Sequence, residues 1–147
     1  MDVLTPQEID KAHERIFSLI IKTPLISSET INKKTNANVY FKLENLQWTG
    51  SFKLRGASNK ISQLSNEEKS RGIVSYSSGN HAQAVAYASK LFGVQATIIM
   101  PKNAPSIKIK NTKKYGADVV LYDSMHESRE KIALEIARKE NKTIVKP

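Results

Sequence analysis

Ile73-Val74-Ser75-Tyr76-Ser77-Ser78-Gly79-Asn80-His81-Ala82-Gln83 is an apolar run that breaks into small polar residues and then opens a helical pattern. Such a step from strand to helix is half of a βαβ unit. The same kind of run returns as Ala96-Thr97-Ile98-Ile99-Met100, Val119-Val120-Leu121-Tyr122 and Thr143-Ile144-Val145. Between these runs lie helix-like segments of about 10 to 16 residues. The spacing predicts parallel strands near 73–78, 95–100, 118–122 and 143–146, with helices between them. The fold class is therefore α/β, an open, mostly parallel twisted sheet with helices on both faces, since right-handed crossovers place helices against the sheet.

The first crossover helix carries Ala82, Val85, Ala86 and Ser89 on one face. The last is expected to open on a capping box, Ser124-Met125-His126-Glu127, and to carry Met125, Arg129, Ile132, Ala133 and Ile136 as its stripe. Glu127 with Lys131 and Glu135 with Lys139 stand at four-residue spacing, suited to ion pairs. The middle helix, after Pro105 and before Gly116, has a weak apolar face. Toward the N-terminus, Thr5-Pro6-Gln7-Glu8 combines an N-cap hydroxyl, a proline and an acid, and Ile9, Ala12, Ile16 and Ile20 follow at helical spacing. A helix is predicted over about 6–20, and a strand at Val39-Tyr40-Phe41-Lys42-Leu43-Glu44. His13, near the apolar side of the first helix, reads as a packed or partly exposed residue without a functional role.

The 147 residues suffice for one core, at 39% hydrophobic content. No apolar run approaches the roughly 20 residues that cross a bilayer, and the first ten residues show no secretory or transit pattern, so a cytoplasmic location is expected. The chain has no cysteine, which removes disulfides, Cys-based zinc sites and a thiol nucleophile. Its net charge is +9, but the basic residues are dispersed and the Lys102–Lys114 run lacks interleaved aromatics. This favours a solvated basic face over nucleic acid or membrane binding.

Two segments carry chemistry. Thr49-Gly50-Ser51-Phe52-Lys53-Leu54-Arg55-Gly56 and Ser77-Ser78-Gly79-Asn80-His81-Ala82-Gln83 each follow a strand-like run and lead into a helix. In parallel α/β sheets, ligands bind beyond the C-terminal ends of strands, where helix N-termini present N–H groups. Both segments are expected there, on one side of the fold. The second has the composition of an anion site, although simple N-capping accounts for a Ser or Asn equally well. A single lysine, taken alone, says little.

Taken together and in this order, Glu44 to Ala57 with Ser77 to Gln83 resemble the threonine/serine dehydratase and serine racemase family of fold-type II pyridoxal-phosphate enzymes. The resemblance continues through Met100-Pro101, Ala104-Pro105, Tyr115-Gly116-Ala117 and Glu127-Ser128-Arg129-Glu130, from about Thr23 to Pro147. It implies pyridoxal 5'-phosphate as cofactor and a small hydroxy amino acid as substrate. Lys53 matches the lysine that holds the cofactor and moves a proton at the substrate α-carbon, which calls for a nucleophilic amine. Phe52 matches an aromatic beside the cofactor, and Asn80 the side chain that bonds its ring hydroxyl. Ser77, Ser78, Gly79, Asn80 and His81 match the clamp for the substrate carboxylate, and Arg129 an arginine that reaches substrate in racemase-like members. Ser78 matches the racemases' acid/base, where many dehydratases have Ala, whereas Ala82-Gln83 lean toward microbial dehydratases.

The resemblance also implies a division: residues 51–147 as the small α/β domain, and 1–50 as an incomplete N-terminal part of the large domain. Family members are much longer, and their glycine-rich phosphate loop has no counterpart among the six glycines here. Lys146 stands where relatives usually have His or Pro. The chain is thus expected to be an N-terminal fragment that alone binds cofactor weakly and turns over neither serine nor threonine. Dehydratase, racemase and a non-catalytic remnant stay open, as do a second chain supplying the remaining half and a homodimer. No metal site is expected among these residues.

Overall fold

The structure is a computed structural model that describes residues 4–147. The four apolar runs form one parallel sheet: β3 (Ile73–Tyr76), β4 (Ala96–Pro101), β5 (Asp118–Tyr122) and β6 (Thr143–Val145), in the order β5-β4-β3-β6. All three strand pairings are parallel, as expected. β3 and β4 are central and buried on both faces, which is why they read as continuous apolar runs rather than alternating ones. Alternate residues still go to opposite sides. Ile73, Ala96, Ile98 and Met100 join the larger core under α3 (Lys53–Ser62) and α5 (Asn80–Phe92). Val74, Ile99 and Tyr122 meet Ala133 of α7 (Arg129–Glu140) on the other face. Helices therefore cover both faces.

α5 departs from a one-faced helix. Besides Ala82, Val85, Ala86 and Ser89, residues His81, Gln83, Ala84 and Ala88 are buried, because α3, α6 (Ser106–Lys114) and the sheet enclose the helix. Small residues make that possible: alanine lets neighbouring elements approach closely around a central helix. α6 keeps the weak apolar face read from its sequence, with Thr112 as its buried residue.

The capping box expected at Ser124 does not form. Ser128 caps α7 by accepting from the Lys131 N–H, while residues 123–127 make a turn in which Met125 is exposed. The Asp123 carbonyl accepts from the N–H groups of His126 and Glu127, which closes the turn before a helix can start. Neither pairing expected along this helix appears among the described residues; Arg129 instead pairs with the adjacent Glu130 at 2.8 Å. Glu127 lies ahead of the helix, where its carboxylate accepts from the Asp123 N–H, and the exposed Glu135 and Lys139 gain too little to be held in one geometry.

The N-terminal region is less enclosed. α1 (Pro6–Ile16) has its capping box from Thr5 and Glu8 but ends at Ile16, followed by a short 3-10 turn to Leu19. Of its expected stripe, Ile16 is buried, Ile20 packs against the core and Ile9 is exposed. The strand expected at 39–44 is β2 (Tyr40–Lys42), and it pairs antiparallel with β1 (Leu25–Ser27) across α2 (Glu29–Thr35), apart from the main sheet. β1, α2 and α4 (Asn66–Arg71) are short elements that the apolar pattern does not mark. No helix of the described residues is long and apolar enough to cross a membrane.

Candidate active site

Lys53 opens α3, and a set of polar contacts fixes where that helix starts. Gly50, at φ +70°, turns the chain in the left-handed conformation that favours glycine, and its N–H donates to the Gln47 carbonyl at 2.7 Å. Gln47 is buried and reaches back to Ile21, accepting from its N–H at 2.9 Å and donating to its carbonyl at 3.0 Å. Arg55, one turn into α3, grips Glu44 with two bonds of 2.9 and 2.7 Å, and the Thr23 hydroxyl donates to the same carboxylate at 2.6 Å. The first segment thus does not end a strand of the parallel sheet, because β2 lies elsewhere. These contacts carry α3 to the sheet instead.

The Arg55 hydrogen bond, helped by Thr23 and the charges of Arg55 and Lys42, holds the Glu44 carboxyl below the usual glutamate range against the opposing effect of burial. A folded-state pKa below the unfolded value means that protons bind the unfolded chain more tightly. The pair's contribution is therefore complete above about pH 4.3 and is lost as pH falls through the depressed folded value. Glu44→Gln is expected to lower stability by about 1–3 kcal/mol at neutral pH, since Arg55 loses its ion-pair partner. It should also flatten the acid limb of thermal melts recorded from pH 7 to pH 3. A variant with an unaltered acid limb would show that the pair does not couple to folding.

Lys53 faces a cavity of about 250 Å³ whose walls include Phe52, His81 and Val145, the last residue of β6. The cavity lies at the C-terminal edge of the sheet, between the starts of α3 and α5. The Lys53 amine stands 5.5 Å from the centroid of the Phe52 ring, which is 59% exposed and presents a free aromatic face. His81 is 7% exposed, and its Nε2 has no hydrogen-bond partner among the described residues. Burial pushes the His81 imidazole below its ordinary pKa, and the Lys53 charge pushes it further, with the Val145 backbone opposing. The ring is thus neutral near pH 7.

The rest of the second segment stands beside this cavity rather than in its walls. Ser77 continues the β3–β4 ladder through its N–H to Ile99, and its hydroxyl accepts from the Gly79 N–H at 3.2 Å. Ser78 is exposed on the loop. Gly79 occupies the N-cap of α5 and supplies no side-chain acceptor, so the N–H groups of the first turn are open to an anion. Asn80 is engaged through its Oδ1, which accepts from the Lys108 amine at 2.6 Å. Arg129 packs on the α7 face, with its guanidinium 5.3 Å from the centroid of the Tyr76 ring. The Glu130 carboxylate raises the Arg129 pKa. Sequence reasoning missed Lys60 and Lys146, which also line the Lys53 cavity. A seven-residue step from Lys53 to Lys60 along a helix was a visible signal; nothing local ties Lys146 to either.

A primary amine, an open aromatic face, a neutral imidazole with a free nitrogen and an uncapped helix N-terminus suit a planar aromatic aldehyde with an anionic substituent, and a carboxylate beside it. The buried His81 nitrogen in the same wall as Lys53 fits this donor set, being a polar atom without a partner among the described residues.

Residues 16–147 match the sequence family described as pyridoxal-phosphate dependent enzyme. Among curated proteins, the chain is 46% identical to the serine racemase of Schizosaccharomyces pombe, over 97% of this chain and 44% of that protein. It is 48% identical to an L-threonine dehydratase catabolic TdcB of Staphylococcus aureus, over 95% of this chain and 41% of that protein. The crystal structure of serine racemase from Dictyostelium discoideum superposes with a TM-score of 0.90 at 42% identity, covering 98% of this chain and 47% of that one. The chain spans less than half the length of these relatives.

Proposed function

Because the chain belongs to the pyridoxal-phosphate dependent enzyme family, we propose that its residues serve an ammonia-lyase that converts L-threonine or L-serine to a 2-oxo acid and ammonia. The observation that carries the proposal is the shared cavity of Lys53, Phe52 and His81 at the C-terminal edge of the sheet. In this reading residues 51–147 are the small domain and 1–50 contribute to the large one. When bound, the cofactor supplies an electron-withdrawing ring in conjugation with the substrate's amino group. Lys53 would hold the aldehyde in the absence of substrate, and its amine, once free, would accept the proton from the α-carbon. The Phe52 ring walls one side of the cavity, and Asn80, at the start of α5, would supply a side-chain amide to the cofactor's ring hydroxyl. Loop residues Ser77 to His81, with the open first turn of α5, bind the substrate carboxylate and so fix the α-carbon near the Lys53 amine.

Ser78 supports a second reading, serine racemization. A hydroxyl on this loop can return the proton to the face of the α-carbon opposite Lys53. Both readings are tested in a chimaera in which these 147 residues replace the matching part of the Staphylococcus aureus dehydratase. The lyase reading expects 2-oxo acid and ammonia in equal amounts from L-threonine and L-serine. D-serine without ammonia as the main product would overturn it in favour of racemization. Ser78→Ala should lower any D-serine formation by about 10²–10⁴-fold, the usual contribution of a positioned acid/base, and leave ammonia release much less affected.

A further inference from the structure

Lys108 lies in the Lys102–Lys114 run, which reads from sequence as a solvated basic face, yet its amine has a defined partner. It donates to Oδ1 of Asn80, the first residue of α5, at 2.6 Å. A lysine amine only donates, so the end of the Asn80 amide that meets it is the oxygen. Nδ2, with both of its N–H donors, is thereby turned away from Lys108. The lysine is held by its own helix. The Pro105 carbonyl accepts from the Lys108 N–H at 2.8 Å, and the fully buried Thr112 donates its hydroxyl to the Lys108 carbonyl at 2.8 Å. Three residues further along each helix, Asn111 donates to Gln83 at 3.0 Å and forms a second rung between α6 and α5. Lys108 forms no ion pair among the described residues. A cation at the positive end of α5 is unfavourable unless an anion joins it, and the N-cap Gly79 supplies no side-chain acceptor. The unpaired cation and the outward N–H donors both call for an oxyanion at this end of α5.

We propose that Lys108 is a positioning residue: it fixes the Asn80 amide as a donor toward an oxyanion, the deprotonated ring oxygen of the cofactor. Naming that oxyanion rests on the proposed function; the fixing of the amide does not. Without Lys108 the amide is free to present either end, and its oxygen would repel the oxyanion. A hydrogen bond to the charged form favours that form, so loss of Lys108 shifts the ring oxygen toward protonation. Asn80 is exposed and Lys108 half-buried, so the effect is modest.

Lys108→Met keeps an unbranched stem and a good helix former but removes the donor, whereas Lys108→Arg restores one. Circular dichroism confirms that both variants fold. In the unloaded chain, side-chain NMR couplings of Asn80 should report one fixed χ1 rotamer in the unaltered and arginine chains and averaged rotamers in the methionine chain. With pyridoxal phosphate attached to Lys53, the absorbance of the deprotonated ring oxygen is titrated against pH. Its midpoint should rise in Lys108→Met by about two- to tenfold in proton affinity and stay within about twofold in Lys108→Arg. Adding Lys108→Met to Asn80→Ala should move the midpoint no further than Asn80→Ala does alone. A full extra shift in that double variant would show that Lys108 acts by its charge and overturn the positioning role. An Asn80 rotamer that stays fixed in Lys108→Met would overturn it as well. If Asn80 is released in Lys108→Met but no aldehyde attaches at Lys53 in the unaltered chain, the cofactor reading fails and the fixing of the amide stands.

Discussion

Lys53→Ala abolishes the absorbance of lysine-bound pyridoxal phosphate, with a loss of affinity of roughly a hundredfold or more, because no other group in the cavity wall pairs a nucleophilic amine with the open Phe52 ring. Lys53→Arg gives the same result, since a guanidinium stays protonated and does not attack an aldehyde. The fold should be indifferent to the change. Lys53 is half-buried at the first position of α3, where alanine is a better helix former and removal of a cation from the positive end of the helix is slightly favourable. The thermal midpoint is therefore expected to move by no more than about 0.5 kcal/mol equivalent. The chain holds 23 Lys and Arg residues, so borohydride fixation followed by peptide mapping is needed to separate Lys53 from diffuse labelling. Fixed label that persists at full yield in Lys53→Ala would sink the assignment.

Leu54→Ala is the largest expected stability effect near the site. Successive helix residues point about 100° apart, so Lys53 turns to the cavity while Leu54 enters the core, where it is fully buried among residues of α3, α5 and the sheet. Removing its side chain should cost about 2–5 kcal/mol, a large share of the roughly 5–15 kcal/mol that holds a domain together. The melting temperature should fall by about 5–15 °C. Cofactor attachment should fall with it, because the cavity wall is made by the α3–α5 contact. Urea melts with and without pyridoxal phosphate measure both. A loss below about 1 kcal/mol would mean that α3 is not seated on the core in this way.

The parallel sheet was legible because its signal is local. Four apolar runs, each followed by small residues and a helical stripe, specify strand and helix from neighbours within a few positions, and Ile73 to Gln83 shows the whole step. The family was legible for a related reason: the segments around Lys53 and Ser77–His81 are short and contiguous, and their wording resembles it. The approximate bounds of the central strands followed from the same runs, whereas the start of the last helix did not. Ser124 and Ser128 both have the residue type for a cap, and only the hydrogen bonds of the Asp123 carbonyl decide between them.

What the sequence determined by itself is therefore the α/β class, the parallel strands and the family to which the Lys53 and Ser77–His81 segments point. The tertiary structure alone decided which distant residues meet. β6 pairs with β3 rather than β5, which brings Val145 and Lys146 beside Lys53, more than ninety positions away in the chain. α5 is buried on most sides from His81 to Ser89 because of what packs around it, not because of its own pattern. Glu44 finds Arg55, and Gln47 finds Ile21, across turns whose closure no periodicity encodes. Strand order and helix packing are set by the burial of whole faces against one another, a non-local free energy, whereas strand and helix patterns are set by backbone geometry one or two turns at a time.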